Sequence, residues 1–379
     1  MWQFLTFLLV MIIDIEIKEN SMRILYVVDS TRFGGVEKFI INLAEEVQRT
    51  NRKDIFVTRE SKLSEKLIRI GVDVRIINFE DIFRKIVELT KILREDIDLI
   101  VAHRWNAIIT SIIANRHTKI PVISVVHSLY QPGTRWEQET TQGVYDIPQL
   151  IQNSCVKIIA VSKAVANALI EAGIDRKKIT IIYNGTKETG YKKKKRINAF
   201  FTIGFVGSIS HEKGPDLFFN VIRNLPPLLY NNIRIVFVGS GPMQEEIEKK
   251  IKNLKVEYKF YGFLENPYEI MSQFDIMMVT SRQEGFPMAV LEAMSMEIPI
   301  LAFAIPSLCE VLDDDITGKL IFDSEIEDVG EKIEDLYQHP SKLEKMGKQA
   351  RKKWEEKYQW EICMKKHMET YELIYKTLS

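Results

Sequence analysis

The chain has 379 residues, 46% of them apolar, with 52 basic and 52 acidic side chains and a formal net charge of zero. That length exceeds one ordinary core and predicts two domains, and the apolar fraction excludes a disordered chain. The charge balance excludes a dedicated nucleic-acid binder, and three scattered cysteines (Cys155, Cys309 and Cys363) exclude a disulfide scaffold or zinc module and suit a reducing cytoplasm.

In chain order, Trp2 to Ile13 is an almost unbroken apolar run. It is shorter than the roughly 20 residues that span a bilayer. It lacks the cationic start and small-residue cleavage site of a secretory leader. Residues 1–21 are read three ways: a mis-called start before an initiator Met22, a membrane-touching segment, or an extra packed element. Apolar, β-branched runs then predict strands at 23–28, 54–58, 73–78, 97–102, 120–126, 157–161 and 179–183. Amphipathic stretches between them predict helices at 36–49, 62–70, 82–94, 105–116 and 163–172. This alternation predicts a parallel sheet with helical crossovers over a first domain, 22–190.

Lys192, Lys193, Lys194, Lys195 and Arg196 follow Tyr191. Five like charges in a row do not pack, which predicts an exposed linker over 191–200, with membrane contact as the alternative. The alternation then restarts, with strands at 201–206, 233–238, 256–261, 275–279 and 299–303. Helices are expected at 214–224, 243–253, 287–296, 326–337 and 341–357, giving a second domain over 201–357. The fold class is therefore α/β, with two Rossmann-like domains facing a crevice, and ligands are expected beyond the carboxyl ends of the strands. Residues 1–199 hold 31 Lys and Arg against 23 Asp and Glu, whereas 200–379 hold 21 against 29. The basic half suits an anionic surface or acceptor; chance spread over solvated faces explains it equally simply.

The most informative stretch runs from Ser281 to Met294 behind the strand at 275–279. Gly285 permits a tight turn, and Pro287 suits the first helical position. A helix starting near 287 would aim free N–H groups at an anion such as a diphosphate. Glu284 precedes that helix and Glu292 lies inside it among apolar neighbours, where a charge needs a partner or a polar ligand. Carboxylates accept hydrogen bonds from vicinal hydroxyls, as a ribose or another sugar presents.

This stretch resembles the retaining GT-B glycosyltransferases of the glycosyltransferase-4 (group 1) type, whose signature is a Glu, seven residues and a second Glu. Similarity spans nearly all of 22–379 and is strongest over 201–320. Gly34 and Gly35 resemble the family's glycine loop at the donor phosphate, although a simple turn explains them as well. His127, at the end of the strand 120–126, resembles the crevice histidine near the donor sugar. Gly207, Ser208 and Lys213 resemble the diphosphate loop with its cation. Many relatives carry Arg where this chain has Ser208, and Arg282 is a candidate substitute. Gly241 and Phe263 match loops near the nucleotide, with Phe263 beside the base. Gly285, Phe286 and Pro287 complete the donor-binding set around Glu284 and Glu292. Asp313, Asp314 and Asp315 precede a turn-like stretch and read as a surface turn, not a metal site.

The resemblance implies transfer of a sugar from a UDP- or GDP-sugar to a glycan or lipid-linked acceptor, in bacterial surface polysaccharide biosynthesis. It implies His127, Lys213 and Glu284 as catalytic residues. It also implies no cofactor, no metal requirement, and a tail over 358–379 that crosses back to the first domain. The acceptor is expected on the first domain near His103, Arg104 and the 128–150 loop, with an ordinary strand-end pair as the alternative reading of His103 and Arg104. A cytoplasmic protein, peripheral at the inner face of the membrane, fits this reading. A nucleotide-sugar 2-epimerase and a catalytically silent partner subunit are the alternatives.

Overall fold

A computed structural model describes residues 22–30, 33–78, 81–130, 146–194, 200–322 and 328–378. The 1–21 leader, residues 195–199 of the linker and residues 131–145 of the expected acceptor loop lie outside the described residues. The chain divides into two units. One takes the chain through Ala160, with Leu169–Thr180 and the residues from Lys366 onward; the other takes Val161–Ala168 and Ile181–Lys365.

The first unit is built on seven strands: β1 (Ile24–Val28), β2 (Ile55–Thr58), β3 (Asp73–Ile76), β4 (Leu99–His103), β5 (Val122–Val126), β6 (Lys157–Ala160) and β7 (Ile179–Ile181). Their order is β3-β2-β1-β4-β5-β6-β7, and the pairings from β3 through β6 are parallel. β1, β2, β4 and β5 are buried along their whole length, as strands covered by helices on both faces must be. The helix Gly35–Arg49 buries Phe39, Ile40, Leu43, Ala44 and Val47, one face of a 3.6-residue period.

The second unit repeats the plan with β8 (Phe201–Val206), β9 (Ile233–Val238), β10 (Glu257–Phe260), β11 (Ile276–Val279), β12 (Ile300–Phe303) and β13 (Lys319–Ile321). The order is β10-β9-β8-β11-β12-β13, all parallel. Its core gathers Phe201, Phe205, Phe218, Phe237 and the aliphatic residues of the central strands. In each sheet the chain leaves one strand in one direction and returns on the other side: at β1/β4 in the first unit and at β8/β11 in the second. Crevices open at such reversals.

Most expected elements are present, displaced by a residue or two at their ends. The helices Ile147–Ser154 and Pro306–Val311 and the strand β13 were not expected. Each is eight residues or shorter, too brief to display a period. Ile147–Ser154 takes over the end of the expected 128–150 loop, and Asp146 caps it by accepting from Gln149 N at 3.0 Å. Among the described residues no helix is long and apolar enough to cross a membrane.

Candidate functional site

In the second unit the loops at the carboxyl ends of the strands are tied together by main-chain hydrogen bonds. Gly207 N donates to Val238 O at 3.0 Å, Ile209 N to Ser240 O at 3.1 Å and Gly239 N to Gly262 O at 2.8 Å. Gly239 has φ +140°, and a Cβ there would fall onto the Gly207 carbonyl, so a side chain is excluded at this crossing. Past Ser208, which is exposed, the chain forms a short 3-10 turn, His211–Lys213, that ends on Gly214 at φ +63°. Thr280 Oγ1, just after β11, donates to Gly214 O at 2.7 Å.

This lacing brings the β8 and β11 loops together at the reversal of strand order. Lys213 Nζ donates to Glu284 Oε1 at 2.5 Å, and Ser281 Oγ donates to the same oxygen at 2.8 Å. The Lys213 side chain keeps 30% of its surface exposed and Glu284 only 10%. Arg282 brackets the same loops. Its main-chain N donates to Glu212 O at 2.8 Å, and its guanidinium grips both Asp216 oxygens at 2.9 and 2.6 Å and donates to His211 O. The Arg282 hydrogen bond holds the Asp216 carboxyl below the usual carboxylate range. Arg282 is therefore tied to the His211–Lys213 turn with its guanidinium engaged by Asp216.

Pro287 is the N-cap of the helix Met288–Ser295, one residue ahead of the first helical position expected for it. Glu292 lies within that helix, 4% exposed, and accepts from Tyr268 OH at 3.1 Å. Burial, then Glu292 itself, pushes the Tyr268 phenol upward. Phe286 is buried and stacks on Tyr183, ring centroids 5.5 Å apart, so its main chain, not its ring, is what the loop can offer a ligand. Phe263, in the loop after β10, is 42% exposed, and Gly241 is partly exposed in the loop after β9. Asp313, Asp314 and Asp315 form the expected turn. Lys353 pairs with Asp313 at 2.9 Å, and Lys319 pairs with Asp314 and Asp315.

In the first unit Gly34 and Gly35 open the helix Gly35–Arg49 behind β1. The organiser of that loop is Glu37, 1% exposed. It accepts from Gly34 N at 2.7 Å and from Ser30 Oγ, and it pairs with Arg104 Nη2 at 3.0 Å. Arg104 directly follows β4 with φ +72°, a conformation that non-glycine residues adopt rarely and that clusters at functional sites. His103 has no exposed surface, which leaves an acceptor no ring atom to touch; its Nδ1 lies 3.0 Å from His127 Nε2. Both rings pack on Phe39, centroids 5.7 Å away in each case, as does His367 at 5.5 Å. Burial, then Arg104, lowers His127 to about 3, and burial lowers His367 to about 3. Burial, then His127, puts His103 well below its ordinary value.

Glu37, Asp216, Tyr268 and His367 were not singled out from the sequence. Glu37 had one visible signal, an acidic residue at the third position of a glycine-opened helix, the spacing of a capping box. Asp216 and Tyr268 are defined by partners distant in sequence, and His367, whose Nδ1 lies 2.9 Å from Tyr371 OH four residues on, by its packing on Phe39.

Residues 33–188 match the family described as Glycosyltransferase Family 4, and residues 187–353 match Glycosyl transferases group 1. The O-antigen biosynthesis glycosyltransferase WbnH of Escherichia coli is 25% identical over 320 residues, covering 82% of this chain and 89% of that one. A shorter match, 30% identical over 94 residues (25% of this chain, 26% of the other), is to a Campylobacter jejuni enzyme. It is named as a GalNAc-alpha-(1->4)-GalNAc-alpha-(1->3)-diNAcBac-PP-undecaprenol alpha-1,4-N-acetyl-D-galactosaminyltransferase. Among solved structures, Anabaena Alr3699/HepE in complex with UDP-glucose superposes with a TM-score of 0.82 at 20% identity, over 93% of this chain and 100% of that one.

Proposed function

This chain belongs to the group 1 glycosyltransferases and has the GT-B fold, and we propose that it is a retaining enzyme moving a sugar from a nucleotide-diphosphate sugar to a glycan or lipid-linked acceptor. The observation that carries this is the Lys213–Glu284 contact at the β8/β11 reversal, beside the start of the helix Met288–Ser295. It sets a cation against a carboxylate in one small region, beside a helix start at which Met288 N and Val290 N donate to Phe286 O and Pro287 O. An incoming diphosphate competes for Lys213, which frees Glu284 to accept from donor-sugar hydroxyls. Glu292 takes the ribose, and Phe263 covers the base. Ser208 and the loop glycines Gly207, Gly241 and Gly285 supply main-chain approach, while Arg282 acts through the loops it brackets. On the first unit, Gly34 and Gly35 are assigned to the donor phosphate and His127 to the donor sugar.

In the reaction the anomeric carbon–oxygen bond to the β-phosphate breaks and a bond to the acceptor hydroxyl oxygen forms. The hydroxyl proton passes to the departing phosphate oxygen. Lys213 and the helix-start amides stabilise the charge that grows there, a task for fixed donors that needs no metal. The HepE complex supports a UDP-sugar as the first donor to test, and the Campylobacter relative supports a lipid-linked acceptor. On the helix Ile82–Ile92, Phe83 and Val87 are 69% and 55% exposed one turn apart, beside Arg84. Such a face suits peripheral contact with the inner, anionic side of a membrane, and so a cytoplasmic enzyme of surface polysaccharide assembly.

Lys213→Ala is expected to lower turnover by about 10²–10³-fold, the cost of one preorganised donor, with the circular dichroism spectrum unchanged. Unaltered turnover contradicts the phosphate role. Incubation with UDP-glucose alone should yield slow hydrolysis; an epimer in its place would make the enzyme an isomerase.

A further inference from the structure

The paired histidines of the first unit carry an assignment that neither the motif nor the family comparisons make. His103 Nδ1 and His127 Nε2 share one hydrogen bond at 3.0 Å, so one of the two nitrogens carries the proton and the other is bare. Both rings are neutral around neutral pH, since burial lowers both. Two arrangements remain. If His127 Nε2–H donates, His103 must carry its own proton on Nε2. That nitrogen is buried and has no hydrogen-bond partner among the described residues. An N–H sealed away unpaired is the rarer and costlier state; an unpaired acceptor is better tolerated. If His103 Nδ1–H donates, the atom left unpaired is a bare acceptor, and His127 carries its proton on Nδ1.

The second arrangement also fits what surrounds His127. Its Nδ1 has no partner among the described residues, yet it is not among the buried unpartnered atoms, so it retains surface for a ligand. His127 as a residue is partly exposed, whereas His103 has no exposed surface. Phe39 packs against both rings and holds their mutual geometry. Among the described residues, the Arg104 guanidinium, which acts on His127 electrostatically, pairs with Glu37 at 3.0 Å.

We propose that His103 is a positioning residue: its Nδ1–H fixes His127 as the Nδ1–H tautomer, so that His127 meets a ligand as a hydrogen-bond donor and selects an oxygen acceptor such as a sugar hydroxyl or ring oxygen. The tautomer assignment stands on the pair alone; its bearing on turnover rests on the reading of His127 as a donor-sugar contact.

Long-range ¹H–¹⁵N correlation spectra of the full chain, labelled at its six histidines, test the assignment without substrate. Loss of a spin system in His127→Ala and His103→Phe assigns the two rings. The expected result is a pyridine-type Nε2 and a pyrrole-type Nδ1 for His127, kept in His103→Asn, whose side-chain amide can donate from the same place. In His103→Phe, which retains an apolar ring but no donor, His127 should shift toward the Nε2–H form. A proton on His127 Nε2 in the unsubstituted protein overturns the proposal. With UDP-glucose as the probe, His103→Phe should lose about five- to tenfold in kcat, the scale of one neutral hydrogen bond, and His103→Asn should recover most of it. If His127→Ala turns over as the unsubstituted protein does, the donor-sugar reading fails while the spectra still decide the tautomer.

Discussion

Gly214 shows how a single backbone angle places the proposed phosphate-binding cation. At φ +63° it turns the chain between Lys213 and Pro215, and a Cβ there would fall onto Thr280 O. Gly214→Ala therefore combines a left-handed penalty with a backbone collision. We expect a loss of about 2 kcal/mol or more in urea unfolding, together with weaker nucleotide binding. Stability within 0.5 kcal/mol of the unsubstituted protein, roughly the scatter of neutral surface substitutions, would show that the loop relaxes freely. At this scale much of the second-unit site was legible. Lys213, Glu284 and Glu292 lie in short windows where glycine, proline and charge sit at telling spacings. Glu37 and Arg104 were harder to read as a pair, because they lie on different strand connections and meet only when β1 and β4 pair. Asp216 is hidden in the same way, its partner Arg282 being 66 positions away.

Strand and helix types followed from periodicity because parallel strands covered on both faces read as continuous apolar runs. β8 and β9 occupy the spans expected of them, Phe201–Val206 and Ile233–Val238. Brief elements escaped. β13 has three residues and Pro306–Val311 six, and their definition comes from neighbours: β13 pairs with β12, and Leu308 and Val311 are buried. Packing among elements also sets a pH response in the first unit. His103 ends β4, His127 follows β5 and His367 lies on the helix Trp360–Leu378, and all three surround Phe39. Among the described residues, the charged and titratable groups around them include Arg104, Glu37, Tyr26 and Tyr371. Depressed folded values mean that only the unfolded chain takes up protons as pH falls below about 6.5. Stability is thus full above that value and declines toward about 3, where His127 and His367 themselves titrate. The melting temperature should fall between pH 6.5 and 4.5, and less steeply in His367→Phe; an identical slope in that variant would remove His367 from the account.

Each α/β unit, taken alone, carries its candidate residues at the place where strand order reverses: Gly34, Gly35, His103 and Arg104 around β1/β4, and the loops of Lys213 and Glu284 around β8/β11. That coincidence follows from parallel topology, since loops diverge at a reversal and leave room for a ligand. The sequence made two α/β units legible through a repeated alternation on either side of a basic linker. It did not reveal that Val161–Ala168 groups with the second unit, because such grouping depends on contacts and not on order, whereas a tail returning to the first unit was expected only from the family resemblance. The proposed function requires a pyrophosphate to bind Lys213 at the start of the helix Met288–Ser295. A crystal structure of the protein grown with UDP tests it most directly. Phosphate oxygens are expected within hydrogen-bond reach of Lys213 Nζ and of the helix-start amides, with Glu284 no longer held by Lys213; UDP bound elsewhere, beside an intact Lys213–Glu284 pair, would refute this binding mode.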